Sequence, residues 1–109
     1  MPTTYKVLGQ INPSAATDTT LYTVPSGNSA VISTVSICNR SATSTTFRLA
    51  IRPAGASISN THYLCFDTIA PANDTIYLTV GLSLAATDVI TANTAAATVT
   101  FSAFGSEIY

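Results

Sequence analysis

The sequence predicts an all-β fold, a single antiparallel β-sandwich or jelly-roll-like domain of about eight strands. The first observation behind this prediction is that apolar and polar residues alternate with a period of two along most of the chain. The second is that Pro, Gly, Asn and Asp separate the alternating segments at short intervals. The third is length, since 109 residues with no repeat or linker suffice for one core and hence one domain, residues 1–109.

The clearest strand lies in "DTIYLTVGLSL", residues 74–84. Its apolar residues occupy a single parity, namely Ile76, Leu78, Val80, Leu82 and Leu84. A helix would spread this pattern around its axis, so the segment is predicted to be extended with one buried face. Tyr77 has the opposite parity and is predicted to point outward, and Gly81 is predicted to mark a bend or bulge.

The other strands follow the same logic, as in "TVTFSAF", where apolar and polar residues again alternate. In chain order, the eight strands are predicted near residues 4–9, 19–24, 28–38, 45–52, 61–68, 74–80, 87–93 and 97–104. Two turns, "VPSGNS" at 24–29 and "RPAGAS" at 52–57, combine Pro, which presets φ, with Gly, which accepts positive φ. Two more breaks, "APAND" at 70–74 and "LAATD" at 84–88, supply Pro, Asn and Asp.

The composition is unusually poor in charge, which narrows the classes of partner. The formal net charge is −1 and 8% of residues are charged, against about 25% in an ordinary soluble domain. Nucleic-acid binding is therefore not expected, because it depends on many Lys and Arg contacts to phosphate. A surface this neutral has little repulsion to keep copies apart, which favours a homo-oligomer.

The chain ends show no targeting signal and are candidates for contact with a partner. The N-terminal "MPTTYKVLGQ" lacks the pattern of a signal peptide, and no apolar run approaches the ~20 residues of a membrane span. The chain is therefore expected to be made in the cytoplasm and to have no membrane partner. Residues 1–4 and 105–109 are predicted to be docking arms, with Ile108 and Tyr109 as contact residues.

Cys38 and Cys65 are predicted to be reduced and buried.

The search for catalytic residues predicts that the protein is not an enzyme. His62 is the sole histidine, and no serine lies in a G-x-S-x-G elbow that could pair with it. Asp74 and Asp88 fall at turns, where a carboxylate caps backbone N–H groups. Spacing singles out no pair of acids, no metal-ligand motif and no phosphate-binding loop, so neither a metal nor another cofactor is expected.

The stretch "ICNRSATSTTFRLAIRP" holds three of the four cationic side chains, Arg40, Arg48 and Arg52. Arg48 and Arg52 share the parity opposite to the apolar residues of their strand, so they are predicted to stand about 13–14 Å apart on the solvent side. One interpretation is a solvated outer face; the other is pairing with carboxylates of a neighbouring subunit. Tyr77 is a further interface candidate, since Tyr combines a large contact area with a polar tip.

Three segments carry a resemblance to a known class of protein. They are "TTLYTVPSGNSAVISTVSICNRSATSTTFRLAI", "TIAPANDTIYLTVGLSLAATDVIT" and "VTFSAFGSEI". Together they resemble the small β-sandwich virion structural proteins of tailed bacteriophages, including those of cyanobacteria. The most specific parts are the "YTVP" opening with its following "SG", the "CNRS" strand end and the "FSAFG" last strand.

This resemblance implies a non-enzymatic, multicopy virion protein made in the host cytoplasm. The first expectation is a capsid cement or decoration protein that binds the major capsid protein as a symmetric oligomer. The alternative is a neck, tail or fibre-attachment adaptor that binds other virion proteins. From a different class, a carbohydrate-binding module on the tail tip stays open, although the absence of Trp counts against it.

Overall fold

Eight β-strands and two short 3-10 turns form the fold in a computed structural model that describes residues 2–109. The strands are β1 (Thr3–Ile11), β2 (Thr19–Thr23), β3 (Ser29–Asn39), β4 (Thr45–Arg52), β5 (Tyr63–Ala70), β6 (Asp74–Leu84), β7 (Val89–Thr94) and β8 (Val99–Ile108). The 3-10 turns are Pro53–Gly55 and Asn60–His62, both between β4 and β5. The predicted all-β class and strand number are confirmed. Within the described residues, no helix is long and apolar enough to span a bilayer.

The strands form two four-stranded antiparallel sheets that pack face to face. The first sheet has the order β1-β8-β3-β6 and the second has the order β2-β7-β4-β5. Four pairings are nested: β1 pairs with β8, β2 with β7, β3 with β6 and β4 with β5. The chain is thus one long hairpin whose two arms are rolled up together, which is the arrangement of a jelly roll. Strands β1 and β6 are the edges of the first sheet, and β2 and β5 are the edges of the second.

The core lies between the two sheets and follows the alternation in the sequence. Phe47 of β4 and Phe101 of β8 meet across it edge to face, with ring centroids 6.0 Å apart. Other fully buried side chains come from the central strands of both sheets, including Ile32, Val35, Ile37, Leu49, Ile90 and Val99. Each such side chain contributes about 1.5–3 kcal/mol by leaving water. The buried residues of β3, β4 and β8 therefore decide which face of each strand points inward.

Strand β6 departs from the expectation of a fully buried face. Leu84 is buried, but Ile76, Leu78, Val80 and Leu82 are only half-buried. The cause is position, because β6 is an edge of its sheet and β5, the edge on the same side of the sandwich, does not close over it. The predicted bulge is confirmed: the register with β3 shifts after Thr79, and Gly81 has a φ of 58°.

The chain ends are paired with each other at positions 2–4 and 105–109, within the segments that were predicted to be docking arms. Thr3 lies opposite Ile108, and the N–H of Tyr109 donates to the carbonyl of Pro2 at 3.0 Å. The reason is that β8 runs on past residue 104 between β1 and β3, which supply backbone partners on both sides. Gly105 permits this course, since a Cβ there would collide with the backbone of β3. Met1 lies outside the described residues.

Both cysteines are unbonded, but neither is fully buried as predicted. Cys38 and Cys65 are half-buried. Cys38 lies on the outer side of β3, opposite Thr75 and Thr100, because its neighbours Ile37 and Asn39 take the inward positions. Cys65 is left partly open because β5 is an edge strand.

Candidate functional site

The outer face of the second sheet carries a group of four side chains that we call the arginine cluster: Arg48, Tyr63, Phe66 and Asp67. Arg48 donates from Nε to Oδ1 of Asp67 at 2.7 Å and from Nη2 to Oδ2 at 3.3 Å. Its guanidinium carbon lies 4.0 Å from the centroid of the Phe66 ring. Tyr63 meets Phe66 edge to face at 4.9 Å. The cluster thus presents a fixed fork, a carboxylate and two rings on one surface.

A bulge in β5 assembles this cluster. The register between β4 and β5 shifts where Phe66 and Asp67 together face Arg48, and Asp67 has a φ of 51°. One extra residue on the bulged strand re-aims two adjacent side chains toward one residue of the neighbouring strand. Sequence alternation alone places Phe66 and Asp67 on opposite faces, so the cluster could not be predicted from the pattern.

The electrostatics of the cluster orient side chains more than they stabilise the fold. The hydrogen bond from Arg48 lowers the pKa of Asp67, and the same hydrogen bond raises the pKa of Arg48. Both side chains are well exposed, Asp67 by 50%. Because water and salt screen such a pair, its main effect is to hold the fork and the carboxylate in a fixed geometry.

The other two predicted arginines are engaged within their own chain. Arg52 is half-buried and donates to Oγ1 of Thr91 at 3.0 Å and to the carbonyl of Ala56 at 3.2 Å. Arg40 lies in the loop after β3 and donates to Oδ1 of Asn12 at 3.2 Å and to the carbonyl of Ala97 at 3.3 Å. Arg48 and Arg52 share the predicted outer face, but the structure does not bring Arg40 to it.

Large apolar side chains are exposed along three of the four edge strands. Tyr5 on β1 is 83% exposed and Tyr77 on β6 is 69% exposed, so Tyr77 points outward as predicted. The other exposed apolar residues on these edges are Val7, Leu64, Phe66 and Ile69. Each of the three edges carries a single charged residue, Lys6 on β1, Asp67 on β5 and Asp74 on β6. Edge strands of monomeric proteins are usually protected by charge, so these edges are candidates for protein contact.

The two candidates at the C-terminal end lie beside β1. Ile108 is the last residue of β8 and is half-buried. Tyr109 is half exposed, and its hydroxyl shares a hydrogen bond with Oγ1 of Thr4 at 2.7 Å. Ile108, opposite Thr3, therefore shares the parity of Tyr5 and Val7, whereas Tyr109 contacts a residue of the other parity.

A half-buried ion pair that the sequence analysis missed lies in the first sheet, and a tyrosine of the second sheet binds its carboxylate. Glu107 of β8 accepts from Lys6 Nζ of β1 at 2.7 Å, and it accepts from the hydroxyl of Tyr22 of β2 at 2.5 Å. The Glu107 side chain is only 7% exposed. Lys6 and then Tyr22 lower the pKa of Glu107, while burial and the hydrogen bond to Glu107 raise the pKa of Tyr22. A signal was available, because Glu107 continues the inward parity of Phe101 and Ala103.

The groups weighed for catalysis lie apart and have structural partners. His62 accepts at Nδ1 from the N–H of Ser59 at 3.2 Å and so closes a 3-10 turn. Asp88 accepts from the N–H groups of Ala54 and Ala85, both at 2.9 Å, as predicted for a turn aspartate. Across residues 2–109, no three His, Cys, Asp or Glu side chains are grouped as metal ligands.

Two shallow depressions flank the arginine cluster. One of about 190 Å³ is lined by residues that include Arg48, Asp67 and Asn93. The other, about 300 Å³, is lined by Asn60, Tyr63 and Phe66. Both are open surface features with polar and aromatic walls, suited to contact with another molecule rather than to enclosing a substrate.

Comparison with protein-family models and with curated protein sequences gives no match for this chain. The case for its function therefore depends on geometry and on the resemblance of its segments.

Proposed function

We propose that this protein is a non-enzymatic structural protein of a tailed-phage virion, first of all a capsid cement or decoration protein present in many copies. The observation that carries the proposal is the exposure of large apolar side chains along three edge strands of a charge-poor sandwich. In a solitary protein these edges would favour uncontrolled association. In a particle they are contact surfaces for neighbouring subunits.

The mechanism requires no reactive group. A protein that binds an assembled shell but not its dissociated parts stabilises the shell by mass action. Symmetry repeats the same contact at every equivalent position, so a modest contact area per copy has a large total effect. The neutral surface supports this role because few charges must lose water when the edges become covered.

The resemblance supports the same role. Its three segments correspond to residues 19–51, 68–91 and 99–108, and they contain all of β2, β3, β6 and β8, β4 except its last residue, and the first half of β7. The matched motifs are strand and turn patterns, so they bear on architecture rather than chemistry. The proposed partner is the major capsid protein, and the proposed location is the virion after synthesis in the host cytoplasm. A neck, tail or fibre-attachment adaptor is the alternative within the same class.

The first experiment locates the protein on the particle. Gold-labelled antibody against the chain is applied to intact virions and viewed by electron microscopy. We expect label over the whole capsid surface. Label confined to the neck or tail would replace the cement role with the adaptor role, and particles without label would contradict both.

The second experiment measures what the protein does for the shell. Particles lacking the protein are heated with and without added purified protein, and DNA release is followed with an intercalating dye. We expect release at a lower temperature without the protein and recovery on its addition. An unchanged release temperature would contradict the cement role.

A carbohydrate-binding function is the second candidate, and the arginine cluster favours it. Sugars stack on aromatic rings and accept or donate hydrogen bonds through their hydroxyls, and here Phe66 and Tyr63 lie beside Arg48 and Asp67. A glycan array probed with the wild type and with Phe66→Ala tests this function. Binding lost in Phe66→Ala but kept in Tyr5→Ala, an exposed aromatic on another edge, would favour the carbohydrate function over the cement role.

A further inference from the structure

The free edge of β6 is the least protected edge of the sandwich. Strand β6 has 11 residues and pairs with β3 on one side. No other strand of the described chain pairs with its opposite side, so alternate residues direct N–H and C=O groups outward. From Thr75 to Leu84 it contains no charged residue and no proline.

The other three edges each have a feature that discourages pairing with another chain. Strand β5 has two register shifts against β4 and carries the charged residue Asp67. Strand β1 carries Lys6 and an irregularity near Gly9, and β2 has only 5 residues. Bulges, charges and short length are the usual means of protecting an edge. Strand β6 has its charge at its first residue, Asp74, and its bulge at Gly81, and between them residues 74–79 keep a regular register with β3.

We propose that β6 is a two-fold interface at which two copies of this chain pair antiparallel and join their first sheets into one eight-stranded sheet. This inference goes beyond the proposed virion role and does not depend on it, because it concerns the isolated protein. In this dimer, the free edge of β6, the exposed Tyr77 and the half-buried apolar residues of the same strand all belong to one contact.

The sequence of β6 is self-complementary in this arrangement. With Tyr77 at the centre, Thr75 of one copy lies opposite Thr79 of the other, and Tyr77 lies opposite Tyr77. The one charged residue of the strand, Asp74, lies opposite Val80, so the two Asp74 carboxylates are at opposite ends of the paired segment and do not repel each other. Aromatic residues directly opposite each other stabilise a strand pair. This pairing gives the exposed Tyr77 a partner at the middle of a free edge.

The area available is that of a weak, reversible dimer. In this register the paired segment runs from Asp74 to Val80, and these seven residues at about 3.3 Å each are about 23 Å long. With the smallest extent of the molecule, 19 Å, as its thickness, this contact measures about 440 Å² per copy, or about 900 Å² in total, which is the size of a weak, reversible interface. It includes the half-buried Ile76, Leu78 and Val80.

Sedimentation equilibrium of the purified chain tests the proposal directly. We expect a wild-type dimer, and we expect Tyr77→Lys to weaken it by at least about tenfold, because two like charges would then face each other. The matched control is Tyr5→Lys, which places the same charge on the exposed edge β1 and should leave the dimer intact. A wild-type monomer, a dimeric Tyr77→Lys variant, or loss of the dimer in Tyr5→Lys would each overturn the proposal.

A second measurement uses variants that do not endanger the fold. Photo-oxidation with a ruthenium complex and persulfate joins two tyrosyl radicals through a ring carbon–carbon bond when their rings are adjacent. We expect a covalent dimer from the wild type and from Tyr5→Phe, and loss of that product in Tyr77→Phe, which keeps the ring but lacks the phenol. Equal cross-linking in Tyr77→Phe would overturn the proposal.

Discussion

Two ion pairs in this protein combine the same three kinds of side chain, but their carboxylates lie in opposite environments. Lys6, Glu107 and Tyr22 meet between the two sheets, where the Glu107 side chain is 7% exposed. Arg48, Asp67 and Phe66 meet on the outer face of the second sheet, where Asp67 is 50% exposed. In both, a cation is bound to a carboxylate beside an aromatic ring.

The difference in burial separates their roles. Glu107 accepts from Lys6 of β1 within its own sheet and from Tyr22 of β2 in the other sheet, so the hydrogen bond from Tyr22 ties the two sheets together. Removing one member leaves a buried polar group without a partner, which is costly. The exposed pair lies within one sheet, and water readily replaces either partner. We therefore expect the inner group to support stability and the outer group to support recognition.

The largest predicted effect comes from removing Glu107. Glu107→Ala leaves the buried hydroxyl of Tyr22 without its acceptor and should lower the free energy of unfolding by about 1–3 kcal/mol. Denaturant unfolding followed by circular dichroism measures this change. The matched change in the outer group, Asp67→Ala, should leave the unfolding curve close to that of the wild type. Equal losses in the two variants would contradict the division of roles.

Arg52 provides a related contrast with Arg48. Arg52→Glu removes hydrogen bonds to Thr91 and to the loop carbonyl of Ala56 and should lower the Tm clearly. Arg48→Glu, on the exposed pair, should change the Tm little but weaken incorporation into particles if the cluster contacts a neighbouring subunit. Thermal melts and a particle-binding assay provide the two readouts. Normal incorporation of Arg48→Glu would indicate that this face contacts solvent and not a neighbouring subunit.

The pH dependence of stability should depend on the inner group. Because the pKa of Glu107 is lowered in the folded state, its contribution is present above the unfolded value of about 4.3 and is lost as the pH falls through the folded pKa. Replacing Glu107 with Gln should therefore flatten the decline in stability below about pH 4.3. Asp67→Asn should flatten the decline less, because the pKa of Asp67 is also lowered but its pair is exposed. Unfolding curves across the acid range provide the measurement.

The smallest predicted effect is spectroscopic. Burial and the hydrogen bond to Glu107 raise the pKa of Tyr22, so this phenol should stay protonated in the native protein above about pH 10, where free tyrosines ionise. Alkaline absorbance titration of the wild type and of Tyr22→Phe should show the same native-state ionisation, because Tyr22 contributes nothing until the protein unfolds. A smaller native-state amplitude in Tyr22→Phe would show that Tyr22 ionises in the folded protein.

Local patterns in the sequence were enough to predict most of the fold. The alternation predicted the strands because an extended segment with one buried face needs apolar residues at every second position. The bulge at Gly81 and the capping by Asp88 were also predictable, since each depends on the conformational preference of one residue. The half-burial of β6 was not predictable, because whether a strand lies at the centre or at the edge of a sheet depends on pairing with distant segments.

The candidate site was less predictable for the same reason. The outward direction of Tyr77 followed from parity, but the free edge on which it lies followed only from the sheet order. Tyr22 and Glu107 are 85 residues apart in sequence. The arginine cluster requires a bulge in β5 that alternation does not reveal. Sequence identified single residues, and the topology determined their neighbours.

The position of β8 has a consequence for how the protein is made. Strand β8 lies between β1 and β3, so the first sheet has no centre until residues 99–108 are available. During synthesis, β1 must wait without its partner while almost the whole chain emerges from the ribosome. Such long-range pairing makes folding slow, and it also makes folding a late event. A nascent chain that has not yet exposed residues 99–108 therefore cannot join β1 to β3, and the four-stranded sheet forms only once β8 is available.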